Sequence, residues 1–147
     1  MCGTVEAVSI YREYFEPSVI LDRPYTIVTA SAIAAETGDR ARWLAAPGRL
    51  RRFGMRTGRL IPLLSPDEAI AHEDFVHAER MPSSSILGTA AEVVAGLAEL
   101  AERTEASELM LYTATHGLDD RLESLAIVAE AWAQVDDVEP ASSSPTD

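Results

Sequence analysis

Two segments of the chain carry apolar residues over the length of a strand. Residues 25–34 read YTIVTASAIA, which is rich in β-branched and small side chains and has no polar face, and residues 108–114 read ELMLYTA. Both patterns are typical of strands that are covered on both faces in a parallel sheet. The chain is therefore expected to have an α/β fold with two parallel strands and several helices.

The stretches around these strands have helical periodicity, with apolar residues at three- and four-residue steps. The first helix carries Val5 and Val8, and Pro17 is expected to close it. The second helix follows Thr37, a residue suited to the N-cap, and the sequence APG at residues 46–48 is expected to interrupt it. About five helical segments are predicted in all.

The second half of the chain begins with an irregular stretch. It contains a predicted short helix at residues 66–78 and a predicted loop at residues 82–88, PSSSILG. Thr89 and Glu92 then have the spacing of a capping box, which predicts a helix start. The last helix is predicted to begin at Asp119. A long excursion between a strand and the next repeat is usually either functional or disordered.

Composition narrows the functional classes. The chain has 147 residues, the length of one domain, and a formal net charge of −12, which argues against nucleic acid or an anionic membrane surface as a partner. A small molecule or a protein fits better. The sequence contains neither lysine nor asparagine, which excludes a Schiff-base or Walker lysine. Cys2 is the sole cysteine, and no secretory or membrane-spanning segment is recognisable, so the cytoplasm is expected.

A cluster of arginines is the most basic feature of this acidic chain, and it comprises Arg49, Arg51, Arg52, Arg56 and Arg59. Guanidinium groups bind phosphates and carboxylates in a bidentate manner, so the cluster is one candidate site for an anionic ligand. The interpretation that we favour from the sequence is a helical face whose arginines pair with the many carboxylates of the chain.

The histidines offer little for metal chemistry. His72 and His77 are five positions apart, which places them on different sides of a helix rather than on one face. His116 follows the second strand, where a polar contact to a ligand is conceivable, although a role in the loop or in helix capping is favoured. No metal site is predicted.

The acidic residues Asp119, Asp120 and Glu123 are interpreted as helix-start acids and not as a catalytic pair. Gly88 lacks companion glycines at the spacing of a dinucleotide-binding loop, so it is interpreted as part of a helix entrance. The sequence thus predicts no catalytic residue, and it assigns no cofactor-binding residue.

Several segments, taken in order, resemble the bacterial-luciferase-like flavin-dependent monooxygenases. The similar segments are YREYFEPSVILDRPY at 11–25, AAETGDRARWL at 34–44, RLRRFGMRTGRLIPLLSP at 49–66 and the stretch at 86–132. Arg121 and Ser124 stand where the family has an arginine and a serine before its final helix. The likeness is collinear from about residue 5 to residue 133.

This resemblance implies the C-terminal part of a TIM-type (β/α)8 barrel, namely its last two repeats. A complete barrel has about 250 residues, so residues 1–135 are expected to form an incomplete barrel, followed by a disordered acidic tail at 136–147. The cofactor implied is reduced flavin (FMN) or a deazaflavin, and the implied activity is oxidation of a small organic substrate.

Most of the family's active site lies on the six other strands, so this chain alone is not expected to be catalytically competent. The alternative is a non-catalytic protein derived from the same fold, which binds flavin or acts as a dimerising helper. Strands with unpaired edges expose free amides and carbonyls. They predict a homo-oligomer or pairing with a missing N-terminal half.

Overall fold

The structure, a computed structural model, describes residues 2–136. Helices and strands alternate along these residues in the order α1 (Cys2–Glu13), β1 (Ile27–Ala34), α2 (Gly38–Arg56), α3 (Pro66–Ala71), α4 (Phe75–Arg80), β2 (Ile86–Gly88), α5 (Ala90–Thr104), β3 (Glu108–Tyr112) and α6 (Leu118–Asp136). The tail predicted at 136–147 lies outside the described residues, apart from Asp136 at the end of α6. Among residues 2–136, no helix combines the length and apolar character that crossing a bilayer requires.

The strands form one parallel sheet in the order β2-β1-β3. The first half of β1 pairs with β3, from Ile27 opposite Glu108 to Ser31 opposite Tyr112. The last residues of β1 pair instead with β2, on the other side. The α/β fold with parallel strands is therefore confirmed.

The prediction of two strands was wrong, because residues 86–88 were expected to be a loop and instead form β2. Three residues are too few for an apolar pattern to distinguish a strand from a loop. Their strand conformation comes from pairing with the carboxyl end of β1, in the register Ala32 to Ile86 and Ala34 to Gly88. The carbonyl of Gly88 also accepts a hydrogen bond from the N–H of Ala35, at 3.0 Å.

One face of the sheet is covered by helices. Alternate side chains of a strand point to opposite faces, and Val28, Ala30, Ala32 and Ala34 of β1 all point toward α5 and α6. They form a buried core with Val93, Leu97 and Leu100 of α5 and Val128 of α6. The small alanines let these helices approach the sheet closely, which is the packing expected of a fully buried strand.

The opposite face is covered only at one end. Ile33 packs against the first turns of α2, with Leu44 and Ala45. Nearer the amino ends of the strands, Ile27, Met110 and Tyr112 are more than half exposed, at 57%, 55% and 56%. We call the surface formed by Ile27, Thr29, Glu108, Met110 and Tyr112 the open face.

Helix α2 runs through the predicted break at residues 46–48, so that prediction was wrong. A proline inside a helix costs about 3 kcal/mol, because it removes a backbone hydrogen bond. Burial offsets this cost here, since Ala46, Pro47 and Leu50 are almost fully buried. Gly48 lets the helix approach the chain after β3, where an added Cβ would lie 3.1 Å from the carbonyl oxygen of Ala114.

Two further helix predictions were inexact. The first helix ends at Glu13, before the predicted stop at Pro17, and its last turn tightens through a hydrogen bond from the N–H of Phe15 to the carbonyl of Arg12. The single helix predicted at 66–78 is two helices, α3 and α4. They separate because His72 is extended and its Nδ1 accepts a hydrogen bond from the N–H of Asp74.

Candidate functional site

A concave surface lies beside the carboxyl ends of β1 and β3, which is where ligands bind in parallel α/β sheets. It has a volume of about 740 Å³ and lies between α2, these strand ends and the first turns of α6. We call it the arginine cavity. Its polar side chains are Ser31, Arg49, Arg51, Arg52, Ser85, Tyr112, Thr113 and Arg121. Pockets for small ligands commonly have volumes of about 300–1,000 Å³.

The arginine cluster is mostly unpaired, contrary to the interpretation that we favoured from the sequence. Only Arg59 has a carboxylate partner among residues 2–136, namely Asp74 at 2.6 Å. The other four members have no carboxylate of the described residues within 4.0 Å. Three of them, Arg49, Arg51 and Arg52, line a cavity whose lining includes no acidic side chain.

Two members of the cluster, both on α2, donate hydrogen bonds to uncharged groups at the end of α4 or just after it. Arg52 donates from Nη2 to the hydroxyl of Ser83 at 2.8 Å, and Arg49 donates from Nη1 to the carbonyl of Glu79 at 3.3 Å. Burial lowers the pKa of Arg52, and the neighbouring charges of Arg49 and Arg56 lower it further. The cavity therefore holds positive charge that nearby anionic groups do not neutralise.

Arg121 and Ser124, which stand at the family's positions in the sequence, join α6 to the strand ends. Arg121 donates from Nη2 to the carbonyl of Thr115 at 3.1 Å, while its buried Nε has no hydrogen-bond partner in the described part of the chain. The buried hydroxyl of Ser124 accepts a hydrogen bond from the N–H of Ala34 at 3.0 Å. Arg121 thus faces the cavity, and Ser124 anchors the helix behind it.

Hydroxyl groups that the sequence reading did not single out also lie at the cavity. Ser85 donates to Ser31 at 3.1 Å, and Thr113 donates to the carbonyl of Ala32 at 3.0 Å. In the sequence, only their position could have indicated them. Ser31 lies in β1 and Thr113 directly follows β3, so both are near the strand ends that border the cavity. The contact with Ser85 depends on β2, which the sequence did not reveal.

The histidines lie apart from the cavity lining. His72 ends α3, whereas His77 stacks on Phe53 with ring centroids 6.2 Å apart. The Nδ1 of His116 lies 2.9 Å from the carbonyl of Leu63, so this histidine joins two loops. Among residues 2–136, no group of three or more histidine, cysteine or acidic side chains is arranged to hold a metal ion.

The acids at residues 119–123 lie on α6. Asp119 and Asp120 occupy its first turn, as interpreted from the sequence, and Asp120 pairs with Arg40 at 3.0 Å. Gly88 ends β2 at the entrance to α5, where an added Cβ would lie 2.5 Å from a carboxylate oxygen of Glu92. This glycine therefore makes room for the carboxylate of the capping box.

The chain is similar in sequence to parts of proteins from Bacillus subtilis and Escherichia coli. Over 135 residues the chain is 34% identical to a Bacillus subtilis protein named uncharacterized protein YvbT, and over 131 residues it is 29% identical to an Escherichia coli protein named luciferase-like monooxygenase. These matches cover 88% and 85% of this chain. The chain is similar to part of a luciferase-like monooxygenase. No protein-family model matches it.

A solved structure has the same arrangement of elements. The crystal structure of apo-MsnO8 superposes with a TM-score of 0.74 and 26% sequence identity, over 94% of this chain and 42% of that chain. The matches with YvbT and the Escherichia coli protein cover 40% and 38% of those proteins. This chain therefore spans about two-fifths of the length of the proteins that it matches.

Proposed function

We propose that the chain is the C-terminal part of a luciferase-like flavin-dependent monooxygenase and supplies the last two repeats of a (β/α)8 barrel. In such a barrel every strand has helices on its outer side and packed side chains on its inner side. The similarity to the Escherichia coli luciferase-like monooxygenase and the superposition on apo-MsnO8 support this assignment.

The observation that carries the proposal is the open face. Helices α5 and α6 bury one side of the sheet, while Ile27, Met110 and Tyr112 remain more than half exposed on the other. An isolated two-layer α/β domain would leave this apolar surface in water, which is unfavourable by about 25 cal/mol per Å². In a closed barrel the same side chains face the interior.

The edges of the sheet support the same arrangement. Among residues 2–136, the outer edge of β3 has no partner strand, and β1 lacks a partner on the side of β2 over residues 27–31. An apolar groove of about 730 Å³ lies next to β3 and is lined by Leu109, Leu111 and Trp132. A further strand and helix would pair with this edge and fill the groove.

The described residues do not fit a flavin by themselves. The open face offers an apolar wall with the hydroxyls of Thr29 and Tyr112, but among residues 2–136 this wall is left exposed on its other side. In the proposed barrel, a reduced flavin or deazaflavin supplies the redox chemistry, and this chain supplies one wall that excludes water.

The test is to complete the barrel. The chain is co-expressed with the part of YvbT that lies outside the match, and the complex is purified and titrated with FMN while flavin fluorescence is followed. We expect a one-to-one complex that quenches FMN with micromolar affinity, whereas the chain alone leaves the fluorescence unchanged. A folded complex that ignores both FMN and a deazaflavin would refute the flavin assignment.

Variants show whether the complex uses the open face. Met110→Asp puts a charge on this face and is expected to abolish the complex, because the carboxylate would be buried without a partner. Val76→Asp is the matched control, since Val76 is also about half exposed but lies on α4. Failure of the unsubstituted chain to form a complex, together with tight self-pairing, would favour the dimerising helper protein instead.

A further inference from the structure

The outer edge of β3 is free and has little to protect it. Among residues 2–136 no strand pairs with this edge, and the ladder between β3 and β1 runs without a bulge from Glu108 to Tyr112. Proteins usually block a free edge with a proline, a bulge or charged side chains, because its amides and carbonyls pair readily with another strand. Strand β3 reads ELMLY and carries one charge, on Glu108. Its edge is therefore competent to pair.

We infer that two copies of this chain pair through their β3 strands, antiparallel and about a two-fold axis at Met110, so that two three-stranded sheets become one continuous sheet. The self-pairing does not depend on the proposed function, because the edge is free in the chain alone and flavin has no part in it. Three features of β3 support the pairing: the direction of its backbone groups, its side chains and its charge.

The backbone groups of β3 fit this pairing. The N–H of Glu108 donates to the carbonyl of Thr26 at 3.1 Å, so the backbone groups of Glu108 point toward β1. Because these groups alternate along a strand, those of Met110 also point toward β1, whereas those of Leu109 and Leu111 point to the free edge. With Met110 on the axis, Leu109 lies opposite Leu111 of the second copy, and each N–H meets the carbonyl of the other residue. The edge is thus self-complementary, as a two-fold interface requires.

The side chains of β3 match in this register on both faces of the sheet. Leu109 and Leu111 point away from the open face, toward the core, and line the apolar groove of about 730 Å³ together with Trp132. Pairing brings the same leucines of the second copy beside this groove, so apolar surface is removed from water. On the open face Met110, which is 55% exposed in the single chain, meets Met110 of the second copy.

Charge favours this register over its neighbours. With Met110 on the axis, Glu108 lies opposite Tyr112 of the second copy, and the two Glu108 carboxylates are about 13 Å apart along the strand. An axis at Glu108 would place the carboxylates directly opposite each other, which is destabilising. The net charge of −12 on each copy opposes association, but Glu108 is the sole charged residue that lines the groove, so the repulsion is weak at this edge.

Introduced cysteines test the register, in variants that all carry Cys2→Ser to remove the native thiol. Residue 110 and its copy would form a non-hydrogen-bonded pair with Cα atoms about 4.5 Å apart, within the disulfide range of about 4.4–6.8 Å. Under mild oxidation, Met110→Cys is therefore expected to give at least tenfold more covalent dimer than Tyr112→Cys, measured by non-reducing electrophoresis. Tyr112 is the matched control position, since it lies on the same strand and face and is 56% exposed.

A mixture of two variants tests the same register independently. Glu108→Cys and Tyr112→Cys are each expected to form little covalent dimer when oxidised alone and at least tenfold more when mixed, because residue 108 faces residue 112 of the second copy. The mixture replaces Met110→Cys if circular dichroism shows that this variant is unfolded. Absence of the expected cross-link in a folded protein, or equal cross-linking of Met110→Cys and Tyr112→Cys, would refute the register.

A proline in β3 tests whether the copies pair through the backbone. Leu109→Pro removes an N–H that points away from β1, so it spares the ladder with β1 and deletes hydrogen bonds to the second copy. Leu109→Ala is the control, because it loses the leucine packing but keeps the N–H. Sedimentation velocity is expected to give a dissociation constant at least tenfold higher for Leu109→Pro than for Leu109→Ala. Equal constants would show that the copies associate through another surface.

Discussion

Arg59 and Asp74 form the most buried ion pair among the described residues. The carboxylate of Asp74 accepts from Arg59 at 2.6 Å, and the Asp74 side chain is only 11% exposed. Because Arg59 precedes α3 and Asp74 precedes α4, the pair joins both ends of the segment between α2 and α4. A buried charge that loses its partner is costly, whereas an exposed pair contributes little.

Arg59→Gln is therefore expected to lower the free energy of unfolding by about 1–3 kcal/mol, measured by urea denaturation at pH 7. This range is lower than for a fully buried pair, because the side chain of Arg59 is half exposed and solvent screens its charge. Arg42→Gln breaks an exposed pair with Asp39 and should cost less than about 0.5 kcal/mol. Equal effects of the two substitutions would show that Asp74 is not held by Arg59.

Glu92 gives the stability of α5 a predictable dependence on pH. Its carboxylate accepts from the N–H of Thr89 at 2.8 Å and from the hydroxyl of Thr89 at 2.9 Å, as the capping-box spacing predicted. These hydrogen bonds, the backbone bond most, lower the pKa of Glu92 in the folded chain. The carboxylate of Glu92 therefore becomes protonated at a higher pH in the unfolded chain than in the folded chain.

The stabilisation by Glu92 is thus fully present above the ordinary glutamate pKa of about 4.3 and is lost as the pH falls through the lower folded value. Glu92→Gln should reduce stability at pH 7 and reduce the further loss between about pH 5 and pH 3, measured by urea denaturation at each pH. Glu99→Gln serves as the control, because Glu99 lies on the solvent-exposed side of α5. A pH profile unchanged by Glu92→Gln would contradict the capping role.

At the scale of elements, the end of α2 is held by a close backbone contact. The carbonyl of Gly54 accepts from the N–H of Arg59 at 2.8 Å, so the chain turns back onto the helix. A Cβ added at Gly54 would lie 2.6 Å from the carbonyl oxygen of Arg59 and 2.9 Å from Ile61. The first neighbour is a backbone atom and the second is Cγ1 of Ile61, so neither is the free end of a flexible side chain.

Gly54→Ala should therefore destabilise the protein by about 1–3 kcal/mol, as overpacking does, despite the better helix propensity of alanine. Gly3→Ala in α1 tests propensity alone, because nothing lies within 4 Å of its added Cβ, and it should stabilise the chain by up to about 1 kcal/mol. Thermal melts followed by circular dichroism compare the two. Stabilisation by both substitutions would show that the α2 contact is loose.

At the scale of the whole molecule, the open face predicts association. The isolated chain should form a dimer or larger oligomer, because pairing covers Ile27, Met110 and Tyr112 and satisfies free strand edges. Sedimentation velocity over a hundredfold range of concentration measures this. Met110→Asp should raise the dissociation constant at least tenfold, while Val76→Asp on α4 should leave it unchanged. A monodisperse monomer of the unsubstituted chain that melts cooperatively would contradict the prediction.

The sequence by itself determined the features that depend on local pattern. Continuous apolar runs identified β1 and β3, because strands buried in a parallel sheet need no polar face, and the spacing of Thr89 and Glu92 located the start of α5. The order of several segments also indicated the luciferase-like relatives. The apolar runs and the capping-box spacing each lie within a short stretch of consecutive residues. The resemblance depends only on the order of segments along the chain.

Only the tertiary structure decided the features that depend on residues distant in sequence. Strand β2 exists because three residues pair with the end of β1, and α2 continues through Pro47 because burial offsets the lost hydrogen bond. Arg49, Arg51 and Arg52 were expected to meet carboxylates, but in the fold they line one cavity together with Arg121 and without an acidic side chain. Charge in a sequence gives the number of possible partners, whereas packing decides which of them come within reach.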